Sequence, residues 1–147
     1  MIKNIKNIAY ILPQRRNIMI GNMWIAPLIK QQKIDGETQY LFQAGSKITG
    51  LSFPTYYTMD ALISISELDL SDHKIDHKIE IRLDDQIISV SNLSSETLIE
   101  ANIFDGSLTA VITLRNFLLK ESGIKKFSLY VDGQEMSVFR LNFSSTK

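Results

Sequence analysis

The sequence contains no cysteine, which excludes a disulfide-stabilised scaffold, thiolate catalysis and zinc sites with sulfur ligands. Two histidines and the carboxylates remain as potential metal ligands. The 16 basic and 16 acidic residues give a net charge of zero, which provides no general attraction for nucleic acid or an anionic membrane. No apolar run reaches the roughly 18 residues of a membrane-spanning helix. We therefore predict no nucleic-acid partner, no membrane partner and no cofactor.

The first twelve residues, MIKNIKNIAYIL, combine positive charge with an apolar run, as a signal peptide does. Pro13 and then Arg15 and Arg16 interrupt this run before the usual length of about 7 to 15 apolar residues is reached. No small-residue cleavage site follows them. The sequence thus favours an intracellular protein, and we expect a cytoplasmic location.

Isoleucine occurs 21 times and alanine only 6 times, a bias that favours strands over helices. Apolar and polar residues alternate over 78–83, and Asp84-Asp85 then separates them from a second apolar run. This pattern predicts a β-hairpin. The same pattern recurs around Asp132-Gly133, where the glycine favours a type I′ turn, and it predicts a second hairpin near the carboxyl terminus.

Turn residues between the other apolar runs complete the prediction. The predicted strands cover residues 6–12, 17–26, 38–43, 58–67, 78–84, 86–91, 97–103, 108–115, 124–131 and 135–143. Two alternatives stay open, because the segments 113–120 and 94–103 also have helical features. We predict an all-β protein, an antiparallel β-sandwich of about seven to nine strands, with one domain over residues 1–147.

One segment, Asp72, His73, Asp76 and His77, brings both histidines together with two carboxylates. On a helix the two imidazoles would share a face, as metal ligands do, whereas an extended chain separates them by about 13 Å. The favoured interpretation is a polar loop with solvated histidines. The alternative is a metal-dependent binder or hydrolase. A Ser-His-Asp triad also stays open, although no Gly-x-Ser-x-Gly or similar nucleophile motif supports it.

Aromatic residues and methionine indicate a contact surface. Met23 and Trp24 lie in a predicted strand that is partly apolar on both faces, and Tyr56 and Tyr57 precede another strand. These residue types are enriched at the energetic centres of protein interfaces. We therefore predict an interaction patch of Met23, Trp24, Tyr56 and Tyr57, with simple core packing as the alternative.

The order of four segments carries a family resemblance: IAYIL, NIMIGNMWIAP with its central Gly21, SFPTYYTMDALISIS, and ESGIKKFSLYVDGQEMSVFRLNF. It resembles an uncharacterised family of small bacterial β-sandwich proteins, which share the strand-Gly-strand opening and the closing G-x-x-x-F-x-L-x-V-D-G hairpin. Residues 30–50 look inserted relative to that pattern. The resemblance implies the fold and no activity. The richness in Ile, Lys and Asn separately indicates a bacterial or phage source.

These observations together predict a non-catalytic binding or interaction module, such as an accessory or regulatory subunit of a bacterial or phage system. Its expected partner is another protein or a second copy of the chain. The first alternative is a self-assembling structural subunit. The second alternative is the metal-dependent binder or hydrolase that uses the Asp72–His77 segment.

Overall fold

Alternating, isoleucine-rich segments form strands through most of the chain in a computed structural model, which describes residues 18–71, 76–100 and 106–146. The strands are β1 (Ile20–Ala26), β2 (Lys30–Ile34), β3 (Glu37–Leu41), β4 (Lys47–Ile48), β5 (Thr55–Ser66), β6 (Asp76–Leu83), β7 (Gln86–Ser94), β8 (Leu108–Leu119), β9 (Gly123–Val131) and β10 (Gln134–Phe143), and a short helix, α1 (Ser95–Glu100), follows β7. Within these ranges no helix is both long and apolar enough to span a bilayer.

The strands form two main sheets that pack face to face, together with a separate hairpin. One sheet has the order β1-β5-β8, the other has the order β4-β10-β9-β6-β7, and β2 pairs with β3. Neighbouring strands are antiparallel, except that β4 runs parallel to β10 over two residues. The predicted all-β class is confirmed.

The hydrophobic core lies between the two sheets, because alternate residues of each strand point inward. Both sheets contribute to one apolar cluster, and its largest fully buried side chains are Phe127, Phe143, Ile25, Met59, Ile63, Ile65, Ile79, Ile81, Leu114, Leu119, Leu129 and Leu141. At one end of the sandwich, Tyr57 makes edge-to-face ring contacts with Phe117 and Phe143. Aromatic packing thus connects the two sheets there.

Three hairpins use turns in which both central residues have positive φ, as a type I′ turn requires. The turn residues are Asp35-Gly36, Asp84-Asp85 and Asp132-Gly133. This backbone twist matches the right-handed twist of the flanking strands. Both hairpins predicted from the sequence are confirmed, and the first of them forms its turn without a glycine.

Reciprocal hydrogen bonds connect the β6–β7 hairpin to the β9–β10 hairpin. Asp132 Oδ1 accepts from Lys78 N at 2.8 Å, and Asp132 N donates to Lys78 O at 2.8 Å. In the same way, Asp84 Oδ1 accepts from Lys126 N at 2.9 Å, and Asp84 N donates to Lys126 O at 2.8 Å. An approximate two-fold axis therefore passes through the β6–β9 pairing, and the segments KIEIRLDDQ (78–86) and KFSLYVDGQ (126–134) are its two halves.

The β2–β3 hairpin lies against the outer face of the three-stranded sheet and is anchored at its base. A second apolar cluster contains Ala26, Ile29 and Leu62, with Tyr40, Phe42 and Val111 packed against it. The buried carboxylate of Asp60 accepts from Ile29 N at 2.9 Å and from Thr113 Oγ1 at 3.0 Å. The rest of the hairpin is largely exposed, and two strands alone are marginally stable. The contacts at its base therefore hold the hairpin in place.

The prediction of a strand over 97–103 is wrong for residues 97–100, the part of this segment that the structure describes. Helix α1 starts instead at Ser95, as the alternative over 94–103 allows. The Ser94 hydroxyl accepts from Thr97 N at 3.0 Å and so caps the first turn of the helix.

Other boundaries differ from the prediction. Strand β2 was not predicted, because KQQKI shows no alternation and forms its strand by pairing with β3. Strand β8 continues through 113–119 rather than ending at 115, and a bulge at Asn116, with a φ of 50°, lets it do so. The predicted strand 6–12 lies outside the described residues.

We expect Gly21→Ala to destabilise the fold, because a Cβ at this position would lie 2.9 Å from Met136 Cβ, where β1 approaches β10. The free energy of unfolding, measured in urea, should fall by about 1 to 3 kcal/mol, as in other overpacked cores. Gly45→Ala is the matched control, because no atom lies within 4 Å of the added methyl group. Equal stability of the two variants would show that β1 and β10 can separate at little cost.

Candidate functional site

The most connected polar cluster surrounds His77, which is only 4% exposed. Its Nδ1 lies 2.8 Å from Asp132 Oδ2, and its Nε2 lies 2.8 Å from the backbone oxygen of Asp69. The Ser95 hydroxyl lies 3.2 Å from the same Nε2. The cluster thus joins four segments: β6, the β9–β10 turn, the loop after β5 and the start of α1.

Strand periodicity explains the burial of His77. Residues 77, 79, 81 and 83 form the inward-facing set of β6, and His77 is its first member. The interpretation of a solvated loop histidine is therefore wrong for His77. This site could have been found by extending the alternation of 78–83 one residue backwards, although its partners come from distant parts of the sequence.

The structure does not bring together the described members of the predicted metal segment. Asp76 is exposed on the outer face of β6, whereas His77 points inward, so the two side chains diverge. Asp72 and His73 lie outside the described residues. Across residues 18–71, 76–100 and 106–146, no three His, Cys, Asp or Glu side chains are grouped so that they could hold a metal ion.

The atoms of Ser95, His77 and Asp132 follow the hydrogen-bond order of a hydrolytic triad. Two features oppose that chemistry. Ser95 is completely buried, and a carbonyl oxygen, which can only accept a hydrogen bond, lies closer to Nε2 than the hydroxyl does. Nε2 therefore donates to Asp69 and is not free to take a proton from Ser95. The geometry is that of a structural connection between segments.

Asp69 also holds the loop after β5 through its side chain. Ser71 N donates to Asp69 Oδ1 at 2.9 Å. Hydrogen bonds from the Ser71 side chain and backbone hold the pKa of Asp69 below its ordinary value. The same residue thus fixes the loop locally and presents its backbone carbonyl to His77.

The predicted aromatic patch is divided by the sheet geometry. Met23 is buried in the core and Tyr57 also points inward, so placing them in an exposed patch is wrong. Trp24 and Tyr56 do face outward, with 40% and 67% exposure. Trp24 pairs with Leu62, six residues along β5 from Tyr56, which separates the two aromatic side chains by about 20 Å.

Trp24 belongs to an uncharged surface on the outer face of the three-stranded sheet. The β2–β3 hairpin covers this face around Ala26 and Leu62 and leaves the rest uncovered by described residues. We call the uncovered part around Trp24 the open face; its outward residues are Ile20, Asn22, Trp24, Ser64 and Ser66. Charge depletion around an exposed tryptophan is typical of the centre of a protein interface.

Two surface grooves lie elsewhere. One, of about 250 Å³, is lined by Leu83, Asp84, Gln86, Leu118, Leu119, Lys120, Glu121 and Lys125. The other, of about 320 Å³, is lined by Pro27, Leu28, Gln43, Ala44, Gly45 and Lys47. Neither groove includes a residue of the open face or of the His77 cluster.

The outer face of the five-stranded sheet carries a compact charged cluster around Glu80. Its carboxylate accepts from Lys78 Nζ at 2.7 Å and from Arg82 Nη2 at 3.0 Å, and the Arg82 guanidinium stacks 3.8 Å from the centre of the Tyr130 ring. The hydrogen bond from Lys78, followed by that from Arg82, lowers the pKa of Glu80 from 4.5. The side chains satisfy one another, and the cluster acts as a cross-strand support.

The sequence matches no model of a known protein family and no curated protein. Among solved structures, the chain is similar to a β-glucosidase from Listeria innocua in complex with isofagomine, with 8% identity and a TM-score of 0.47 over 87% of this chain and 16% of that one. It is also similar to the Pseudomonas fluorescens alkylpurine DNA glycosylase AlkC bound to DNA, with 6% identity and a TM-score of 0.43 over 83% of this chain and 30% of that one. The chain thus spans a minor part of either enzyme.

We expect Asp132→Ala to destabilise the fold more than Asp84→Ala does. Both substitutions remove an equivalent backbone contact at a residue of positive φ, and only the first also removes the partner of His77 Nδ1. The free energy of unfolding should therefore fall by about 1 to 3 kcal/mol more for Asp132→Ala. Equal losses in urea unfolding would show that the His77 contact contributes nothing.

Replacing Glu80 by glutamine should weaken the dependence of stability on acid. Because the folded-state pKa of Glu80 is lowered, its contribution is present above the unfolded value of 4.5 and disappears as the pH falls through the folded value. Thermal melting from neutral pH into this acid range should show a shallower decline for Glu80→Gln than for the wild type. Glu37→Gln, on the exposed hairpin, is the control and should retain the wild-type decline. Parallel curves for all three proteins would contradict the assignment.

Proposed function

We propose that this protein is a non-catalytic interaction module that binds a protein partner through the open face. The observation that carries the proposal is Trp24, a large aromatic side chain left 40% exposed within an uncharged part of a sheet. Exposed tryptophans in such surroundings are characteristic centres of binding energy. The proposal includes a cytoplasmic location in a bacterial or phage system and a role as an accessory or regulatory subunit.

The two halves of this sheet face differ in how far their side chains are buried, and this difference supports the proposal. One half is sealed by the chain's own hairpin, with Ile29 buried against Leu62 and its backbone anchored on Asp60. The adjacent half leaves the apolar side chains of Ile20 and Trp24 54% and 40% exposed. A partner that seals the second half as the hairpin seals the first would bury Trp24 without removing a charge from water.

Hydrolysis is less well supported by the geometry. The serine nearest to a histidine, Ser95, is buried, and the His77 ring is engaged by Asp132 and by the Asp69 carbonyl. A metal-dependent reaction through Asp76 and His77 is also disfavoured, because the two side chains point to opposite faces of β6. The resemblance to small bacterial β-sandwich proteins remains part of the proposal.

We expect Trp24→Ala to abolish partner binding and leave the fold intact. The tagged wild type should retain one stoichiometric protein from a lysate of its host, and the variant should lose it. Trp24 is the chain's single tryptophan, so the intrinsic fluorescence reports directly on this surface. Titration of the purified partner into the wild type should shift the emission to shorter wavelength, because contact removes water from the indole ring.

Tyr56→Ala is the matched control, since it removes an exposed aromatic side chain from the same sheet face about 20 Å away. It should retain the partner, and all three proteins should melt at similar temperatures. Retention of the partner by Trp24→Ala would contradict the proposal. Unfolding of Trp24→Ala would show instead that Trp24 is a core residue.

A further inference from the structure

Strand β7 differs from the other sheet edges because it has little protection against pairing with another strand. One edge of β7 pairs with β6, and in the described part of the chain no strand pairs with its other edge. Exposed edges are usually protected by charged residues, proline, bulges or short length. Residues Gln86–Ser94 contain no charged residue and no proline, and the exposed side chains Ile87 and Val90 are apolar. One bulge, at Ile88, leaves the stretch from Ser89 onwards regular.

The other edges are protected. Strand β8 carries Arg115 and the positive-φ bulge at Asn116, and β4 is two residues long. Strand β1 lies against β10, so closely that a Cβ on Gly21 would lie 2.9 Å from Met136 Cβ. The β2–β3 hairpin has Lys30 and Lys33 on one edge and Glu37 on the other. Strand β1 is also uncharged, but β7 is the longest uncharged edge strand of the described residues, with nine residues against seven.

The approximate two-fold axis of the five-stranded sheet leads to the same strand. Strands β7 and β10 are equivalent under this symmetry, because each is the outer strand of one of the two related hairpins. Strand β10 has β4 beside it on its outer side. Its counterpart β7 has no such neighbour among the described residues, so the symmetry predicts that a strand from outside them lies at this position.

We propose that a second copy of this chain supplies that strand, through antiparallel pairing of β7 with β7 about a two-fold axis at Val90. A self-complementary edge is what a two-fold interface needs, and the uncharged segment places no like charges opposite each other. The zero net charge of the chain adds little repulsion between copies. Pairing at Val90 sets this 48% exposed apolar side chain opposite its own mate. The result is one continuous ten-stranded sheet across two protomers.

Sedimentation over a concentration series, extending to high micromolar protein, tests the proposal with the full chain. The wild type should form a dimer. Val90→Lys should weaken the dimer by roughly tenfold or more, since it places two like charges opposite each other. Ile124→Lys is the matched control, because Ile124 is 68% exposed on the same sheet face, away from β7, and this variant should remain dimeric. All three proteins should melt at similar temperatures.

The absence of cysteine allows a second test of the register. A single cysteine in Val90→Cys would lie directly opposite its mate, with Cβ atoms about 4.5 to 5.5 Å apart, and should form an intermolecular disulfide under mild oxidation. Ile124→Cys should not form one at the same rate. Equal cross-linking of the two variants would overturn the pairing at Val90.

A monomeric wild type, or a dimer that Val90→Lys leaves unchanged, would overturn the proposal as a whole. The test is independent of the open face, because Trp24 lies on the other sheet. Loss of partner binding in Trp24→Ala together with a monomeric wild type would support the proposed function and reject this inference. A Val90-dependent dimer without a Trp24-dependent partner would do the reverse.

Discussion

The reciprocal hydrogen bonds of Asp84 and Asp132 fix the pairing of β6 with β9, and the arrangement of the larger sheet depends on that pairing. Each aspartate lies in the turn of one hairpin and holds the backbone at the start of the other hairpin's inner strand. The register sets Ile79, Ile81 and Leu83 opposite Val131, Leu129 and Phe127, and so it aligns the central row of the core. A slip of one residue would turn all of these side chains outward.

Asp132 extends this constraint to the end of the sandwich, because its second carboxylate oxygen binds His77. Through His77 the same carboxylate is connected to the loop after β5 and to the start of α1. A polar group buried among apolar strands is costly unless its hydrogen bonds are satisfied. Here those bonds join segments that strand pairing alone would not connect, which explains a histidine at an inward-facing position of β6.

Strand periodicity and turn chemistry allowed most of this architecture to be predicted from the sequence. The alternation over 78–83 and the Asp-Gly turn at 132–133 are local signals, and the hairpins that they predict are present. The hydrogen-bond partners of His77 are Asp69, Ser95 and Asp132, which come together only where four segments meet. No local pattern encodes that proximity. The aromatic patch was predicted incorrectly in part, because alternation turns Met23 inward and Trp24 outward, and distance along β5 separates Trp24 from Tyr56.

The paired turns also limit how this sequence can vary. Lys78 and Asp84 are six positions apart, and so are Lys126 and Asp132, because each spacing matches the length of a strand to the reach of the other hairpin's turn. After insertion or deletion of a residue within either strand, the two contacts could no longer form together, whereas the loops outside these segments carry no such limit. Two equal spacings that must be preserved together form a length signature. It would identify distant relatives even after the side chains between the fixed positions had changed.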